Sequence, residues 1–318
     1  MLEILAITAP IFMIIAVGFT AVRLEFFSQS DTRALGMFVI NFALPALIFK
    51  ALSQRPFAEI MNVHYLLAYA LGSLAVLSIG VSVAYFGQKK SLQASTLHGM
   101  GMSFSNSGFI GYPIALQLLG PPASVALALN LIVENMLMLP IALALAESGK
   151  NTGERLRSVL FKSFVRLLKN PIILSILAGS TFAIFEALPP EPITRVIDMF
   201  AMASAPAALF VIGGSLVRLK VKGIMGDVGQ IMFGKLLLHP LAVFTALMLL
   251  PPIDPVLQIA AVTFACVPML SIYPILGQRY GQEGLCAAAL VTTTAASFIS
   301  ISGVLWIIEV SGVFAGHG

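Results

Sequence analysis

Apolar runs long enough to cross a bilayer fill the 318-residue chain, and clusters of charge, proline or glycine separate them. A spanning helix needs about 20 mostly apolar residues. The pattern predicts ten such helices, over 2–22, 33–52, 64–87, 94–119, 122–146, 170–187, 194–217, 228–250, 256–277 and 284–309. Prolines inside several runs do not disqualify them, because neighbouring helices satisfy the backbone groups a proline frees. The start Met1-Leu2-Glu3-Ile4-Leu5 lacks the basic opening of a secretory signal and no cleavage site follows, so the first run reads as a retained helix.

Composition agrees. Apolar residues make up 58% of the chain, charged residues 10%, and mean hydropathy is +0.98. Soluble domains carry about 25% charge, so the natural solvent here is lipid. Fourteen of the eighteen Lys and Arg fall on one side of the ten spans; only Lys50, Arg55 and Arg195 fall on the other, and Lys235 lies within a span. The basic side is cytoplasmic by the positive-inside rule, which leaves both termini outside the cytoplasm. The basic, amphipathic segment 154–168 then lies along the inner surface. Cys266 and Cys286 sit in apolar runs and read as small hydrophobes. Nothing calls for a metal, a cofactor or a nucleic-acid partner.

A shift of 161 positions lays prolines on prolines: Pro10 on Pro171, Pro45 on Pro206, Pro113 on Pro274. Gly18 meets Gly179, Phe49 meets Phe210, Tyr112-Pro113-Ile114 meets Tyr273-Pro274-Ile275, and Gly120 meets Gly281. The same shift carries the first five spans onto the last five. Five is odd, so the two copies sit upside down relative to each other, as in many secondary transporters. The expected fold is an all-α integral membrane protein, with one five-helix repeat over 1–153, a cytoplasmic linker over 154–169 and the inverted repeat over 170–318.

Spans four and nine are repeat mates, and both break near the middle. One reads Ser103-Phe104-Ser105-Asn106-Ser107-Gly108-Phe109-Ile110-Gly111-Tyr112-Pro113, the other Cys266-Val267-Pro268-Met269-Leu270-Ser271-Ile272-Tyr273-Pro274. Unwound backbone at that depth survives only inside protein or along a water-filled cavity. Half-helix N-termini carry partial positive charge and free N–H groups, which suits an anion. Ser105, Asn106, Ser107, Gly108, Pro113, Pro268, Ser271 and Pro274 are the candidate substrate-binding residues, with Asn41, one turn before Pro45, as a further candidate. The alternative is a pair of proline kinks whose serines bond back to their own helices.

Three ionisable residues inside spans are candidates for ion coupling. Glu134 reads as a coupling carboxylate or as a structural one paired with Lys235 or His239. Lys235 and His239 share a face of span eight; Lys235 is expected to snorkel to the cytoplasmic surface. Ser204 is expected to pack between helices, and Trp306 to anchor at the outer interface.

Asn41-Phe42-Ala43-Leu44-Pro45-Ala46-Leu47-Ile48-Phe49, Asn106-x-Gly108-Phe109-x-Gly111-x-Pro113, Lys235-x-x-x-x-Pro240 and Lys169-Asn170-Pro171 together resemble the auxin efflux carrier family over essentially the whole chain. The resemblance implies ten helices in two inverted repeats, a crossover where helices four and nine break at proline, and an elevator-type motion of a transport domain against a scaffold. It implies an organic-anion substrate, with malonate or malate as the usual association of bacterial members, and places Asn106, Pro113 and Pro274 at the site. The lipid partner and a multi-pass place in a bacterial inner membrane follow; a homodimer is left open. Val267 and Pro268 stand where an asparagine mirroring Asn106 is absent. Three alternatives stand beside the carrier: a sodium-coupled symporter of the bile-acid-transporter type, a non-transporting membrane receptor, and a rhomboid-type intramembrane protease. The last lacks its motif, since Gly101-Met102-Ser103 is followed by Phe104.

Overall fold

The computed structural model describes residues 2–54, 61–148, 169–217 and 225–314. The basic segment 154–168, expected along the inner surface, lies outside the described residues, as does Arg55. Every regular element among those described is helical. Helix α1 is Leu2–Arg23, and α2 (Gln29–Ser53) and α3 (Val63–Gly87) follow. The next crossing is broken into α4 (Leu92–Ser103) and α5 (Tyr112–Leu119). Then come α6 (Pro122–Ser148), α7 (Pro171–Ile184), α8 (Glu191–Leu216) and α9 (Met225–Leu249). A second broken crossing is formed by α10 (Pro255–Cys266) and α11 (Tyr273–Gln278), and α12 (Glu283–Ser311) is last.

Seven helices are long and apolar enough to cross a membrane: α1, α2, α3, α6, α8, α9 and α12. The expected spans four and nine are not continuous helices, for the reasons their Gly and Pro content gives. The expected sixth span is shortened to the 14 residues of α7, about 21 Å at 1.5 Å per residue, less than the ~30 Å hydrocarbon core.

Polar caps set the helix starts. Asn62 accepts from the Tyr65 N–H (2.9 Å), Asn170 from Ile172 (2.9 Å) and Asp254 from Val256 (2.7 Å), and Pro171 and Pro255 occupy first-turn positions where a missing N–H costs nothing. Five π-turns occur among the described residues, at Val39–Ala43, Val83–Gly87, Ser107–Gly111, Val133–Met138 and Gly234–Leu238. All but Val83–Gly87 end two residues before a proline: Pro45, Pro113, Pro140 and Pro240. Proline has no N–H and its ring crowds the carbonyl four residues back, so the turn before it opens.

The helices pack as two groups. In one, α1 lies on α8, and α7 on α2, with α2 and α8 also in contact. In the other, α3 packs on α4 and α9, α10 on α9 and α12, and α11 on α12. The first group is joined by close glycine contacts: a Cβ on Gly18 would lie 2.2 Å from the Phe210 carbonyl oxygen, and one on Gly179 would lie 3.1 Å from the Phe49 carbonyl oxygen. Small residues of this kind let membrane helices approach closely. Gly18 and Gly179 are mates at the 161-residue offset, and so are Phe49 and Phe210. Gly120 and Gly281, also mates, end α5 and α11 with nearly equal left-handed φ values of 69° and 70°. Large apolar side chains such as Met13, Phe42, Leu71, Phe86, Met199, Met202 and Leu249 face outward, while Glu134, Lys235 and His239 are buried.

Candidate functional site

The first break begins where α4 stops at Ser103, whose hydroxyl bonds back to the Gly99 carbonyl (2.8 Å). Phe104 is extended, and Asn106 (φ −85°, ψ 60°) turns the chain into the π-turn that leads to α5. The Asn106 N–H donates to the Pro268 carbonyl of the second break (2.8 Å), so the two breaks meet at their backbones. The Asn106 carbonyl accepts from Ile110 and Gly111, and its Oδ1 accepts from the Phe109 N–H (3.3 Å). Its Nδ2 has no partner, although the residue is only 3% exposed. A buried donor left unmet costs about 1–3 kcal/mol, which makes this amide a candidate donor to a ligand. Gly111 is required by the approach of α10: a Cβ there would lie 2.6 Å from the Phe264 ring.

Around the crossing lies a buried polar chain. Lys235, fully buried, gives its three N–H groups to the Ser105 hydroxyl (2.8 Å), the Ala265 carbonyl (2.9 Å) and His239 Nδ1 (2.6 Å). His239 Nε2 meets Ser73 (2.9 Å). Ser105 contacts the Tyr69 hydroxyl (3.1 Å), which reaches Glu134 Oε1 (3.2 Å); Ser107 donates to the same oxygen (2.6 Å). The roles follow from the inventory of protons. Lys235 as an ammonium only donates and Glu134 as a carboxylate only accepts. Ser105 accepts from Lys235, and the single Tyr69 hydroxyl proton is shared between Ser105 Oγ and Glu134 Oε1. His239 accepts at Nδ1, so its ring is neutral with the proton on Nε2. That tautomer is assigned from the hydrogen bonds. Lys235 and Glu134 both sit in π-turns, which rotate one residue out of helical register and aim these side chains inward.

The expected snorkelling of Lys235 is corrected: its ammonium turns inward because three acceptors wait there, and its side chain has no path to water. The expected direct pairing of Glu134 with Lys235 or His239 is also replaced. Ser105 and Tyr69 bridge the two charges.

Ser105, Asn106, Ser107, Gly108, Pro113 and Pro274 are all buried at the two breaks, with Pro268 touching Asn106 through its carbonyl. Ser271 is half-buried in the second break. Asn41 is brought elsewhere: its side chain is exposed, on the outer face of α2, and its amide donates to the Met37 carbonyl of its own helix (2.8 Å). Ser204 is buried, bonds to the Ala201 carbonyl (2.7 Å) and lines a cavity of about 600 Å³. That cavity separates the two helix groups, with Lys50 and Gln54 of α2 and Ser204 of α8 on one wall, and Tyr112 of α5 and Ser124 of α6 on the other. Lys50 is paired there with Asp198 (2.7 Å). Trp306 is exposed on α12.

Sequence reading missed Tyr69, Tyr65 and Ser73. Tyr65 donates to Asn130 (2.9 Å). The three recur every fourth residue on α3, one polar stripe on an apolar helix, and that spacing was the available signal.

The described residues thus form an all-helical protein with several helices apolar and long enough to span a membrane and with buried charge where two interrupted helices meet. The chain belongs to the family described as membrane transport protein, which matches residues 4–306 and is the auxin efflux carrier family of the resemblance above. It is 31% identical over 311 residues to the "Putative malonate transporter" of Rhizobium meliloti (strain 1021), covering 97% of both chains. It is 23% identical over 304 residues to the "Uncharacterized transporter YfdV" of Escherichia coli (strain K12), covering 94% of this chain and 95% of that one. A 245-residue stretch, 72% of this chain, is 26% identical to the "Lysosomal cholesterol signaling protein" of Mus musculus, of which it spans 28%. The family and these full-length relatives are transporters, not enzymes.

Proposed function

We propose that the chain is a secondary carrier that moves a small organic anion, malonate or a related carboxylate, by alternating access. One observation carries the reading: the unpaired, buried Asn106 amide at a half-helix N-terminus, where two broken crossings meet beside the Lys235 ammonium. Donors without acceptors and a fixed positive charge suit a carboxylate. The near-full-length likeness to a malonate transporter supports the choice of substrate.

The carrier has ten crossings, with α4–α5 and α10–α11 each counted as one, in repeats over 1–153 and 170–318 that are inverted relative to each other. The paired glycine contacts and the equal φ values of Gly120 and Gly281 support this. The group α1, α2, α7 and α8 serves as the scaffold. The other group, which holds the breaks, moves against it, and the cavity between them is the entry vestibule. Both termini lie outside the cytoplasm of a bacterial inner membrane. The sodium-coupled alternative is disfavoured, because the Ser105 and Ala265 oxygens available to a cation are already taken by Lys235. Malonate should raise the thermal unfolding midpoint of the purified protein, and Asn106→Ala, folded and monodisperse, should abolish that rise. Undiminished stabilisation of the Asn106→Ala variant would remove Asn106 from the site.

A further inference from the structure

The buried chain holds one fixed positive and one negative charge, and only those. The groups that face it are Tyr65 and Tyr69 from α3, Glu134 from α6, Lys235 and His239 from α9, and the buried Cys266 thiol from α10; the two breaks add only Ser105, Asn106 and Ser107. The phenols and the thiol are neutral by their ordinary chemistry, and His239 is neutral because it accepts from Lys235. With Lys235 as the ammonium that donates to Ser105, Ala265 and His239, the positive charge of the network rests on Lys235. The empty interior therefore carries zero net charge, Lys235 against Glu134.

An arriving carboxylate upsets that balance. It brings a second negative charge into a site already neutral, and uncompensated charge within the bilayer is costly. The one group able to cancel it is Glu134. Both bonds that Glu134 receives, from Tyr69 and Ser107, fall on Oε1, and no described residue donates to Oε2. Oε2 can take a proton without breaking either bond.

We propose that Glu134 takes up one proton for each carboxylate monoanion bound at the crossing, so that the carrier moves acid and anion together with no net charge. The inference rests on the carrier reading above and names its coupling. Loading is balanced: a hydronium ion gives its proton to Glu134 Oε2 and leaves as water, the Glu134 carboxylate becomes a carboxylic acid, and the substrate anion becomes the counter-charge of Lys235. Proton without anion leaves the site at plus one; anion without proton leaves it at minus one. Only the empty and the doubly loaded states are neutral, and only they cross. Ser105 and Tyr69 transmit the exchange, since the tyrosine hydroxyl that holds Glu134 also reaches the serine that holds Lys235 at the break.

The test uses purified carrier in proteoliposomes with labelled malonate, whose transported form in this scheme is the singly charged hydrogenmalonate, under an imposed pH gradient and, separately, an imposed membrane potential set with potassium and valinomycin. The expected result for the wild-type chain is net uptake driven by an acidic exterior and unmoved by potential. Net uptake driven by potential at constant pH would overturn the proposal. Measured relative to its own malonate–malonate exchange rate, Glu134→Gln should lose accumulation driven by the pH gradient at least tenfold. Gradient-driven accumulation at the wild-type rate in Glu134→Gln also overturns it. Absence of any exchange by the folded wild-type protein fails the carrier reading itself, a distinct outcome.

Discussion

Replacing Lys235 by methionine keeps the stem volume of a fully buried side chain and removes its charge. Three hydrogen bonds vanish, and Ser105, Ala265 and His239 lose their donor. The larger effect is on Glu134, whose carboxylate is left as the one uncompensated charge of the network. Removing one member of a buried charged pair costs about 3–5 kcal/mol, a sizeable share of a total stability of about 5–15 kcal/mol. At roughly 2–4 °C per kcal/mol the unfolding midpoint of Lys235→Met should fall on the order of 10 °C. Glu134→Gln strands Lys235 in the same way and should also destabilise. The double variant leaves no charge at all. It should cost less than the two single changes together, by about 1.5 kcal/mol or more, within the usual range of coupling for residues in one network. The chain supplies its own probe, because Cys266 and Cys286 are both buried and free. A thiol-reactive fluorophore added to the detergent-solubilised protein during heating reports their exposure. Strictly additive costs would show that Ser105 and Tyr69 do not couple the two charges, and the description of a single network would fail.

Further outcomes follow from individual contacts. Tyr69→Phe removes the one hydroxyl between Ser105 and Glu134 and should lower stability by about 1–2 kcal/mol, read in the same thiol assay, because each loses one hydrogen bond while keeping that to Lys235 or Ser107. Gly213→Ala places a Cβ 1.9 Å from the Ile15 carbonyl oxygen at the α1–α8 crossing and should destabilise by 1–3 kcal/mol or more, on the order of overpacking effects, whereas Gly303→Ala, with open space at that position, should change little. Lys50→Ala breaks a partly exposed ion pair with Asp198 and should shift stability by no more than about 1 kcal/mol. Asn41→Ala should leave malonate exchange at the wild-type rate, since its amide is outside the crossing.

The breaks were legible because glycine and proline act through the backbone, locally, wherever they occur. Asn106, Ser107 and Pro113 could be named from sequence on that ground, and so could the offset that pairs Pro113 with Pro274. Burial of Lys235 was not legible. Sequence gives its depth along a helix but not the face it presents, and two of the acceptors that draw it inward, Ser105 of the first break and the Ala265 carbonyl of α10, are remote in the chain. The bridging of Glu134 to Lys235 needed the same information. Asn41 misled for the opposite reason: its place before a proline in the π-turn of α2 mimics a site residue, yet the turn directs it outward. Tyr69 was hidden by its chemistry, since a tyrosine counts as apolar until the partner of its hydroxyl is known. The division of α4 from α5 and of α10 from α11, with the shortening of α7, also explains why ten apolar runs yield seven continuous spanning helices among the described residues.

The central claim is that the crossing binds a carboxylate and presents it to both sides in turn. Counterflow tests it most directly: vesicles carrying the purified protein are loaded with unlabelled malonate and diluted into a trace of labelled malonate. The account expects a transient accumulation of label above equilibrium, absent in empty vesicles and in Asn106→Ala. Label that merely equilibrates, or does not enter, with folded wild-type protein in the membrane would contradict it.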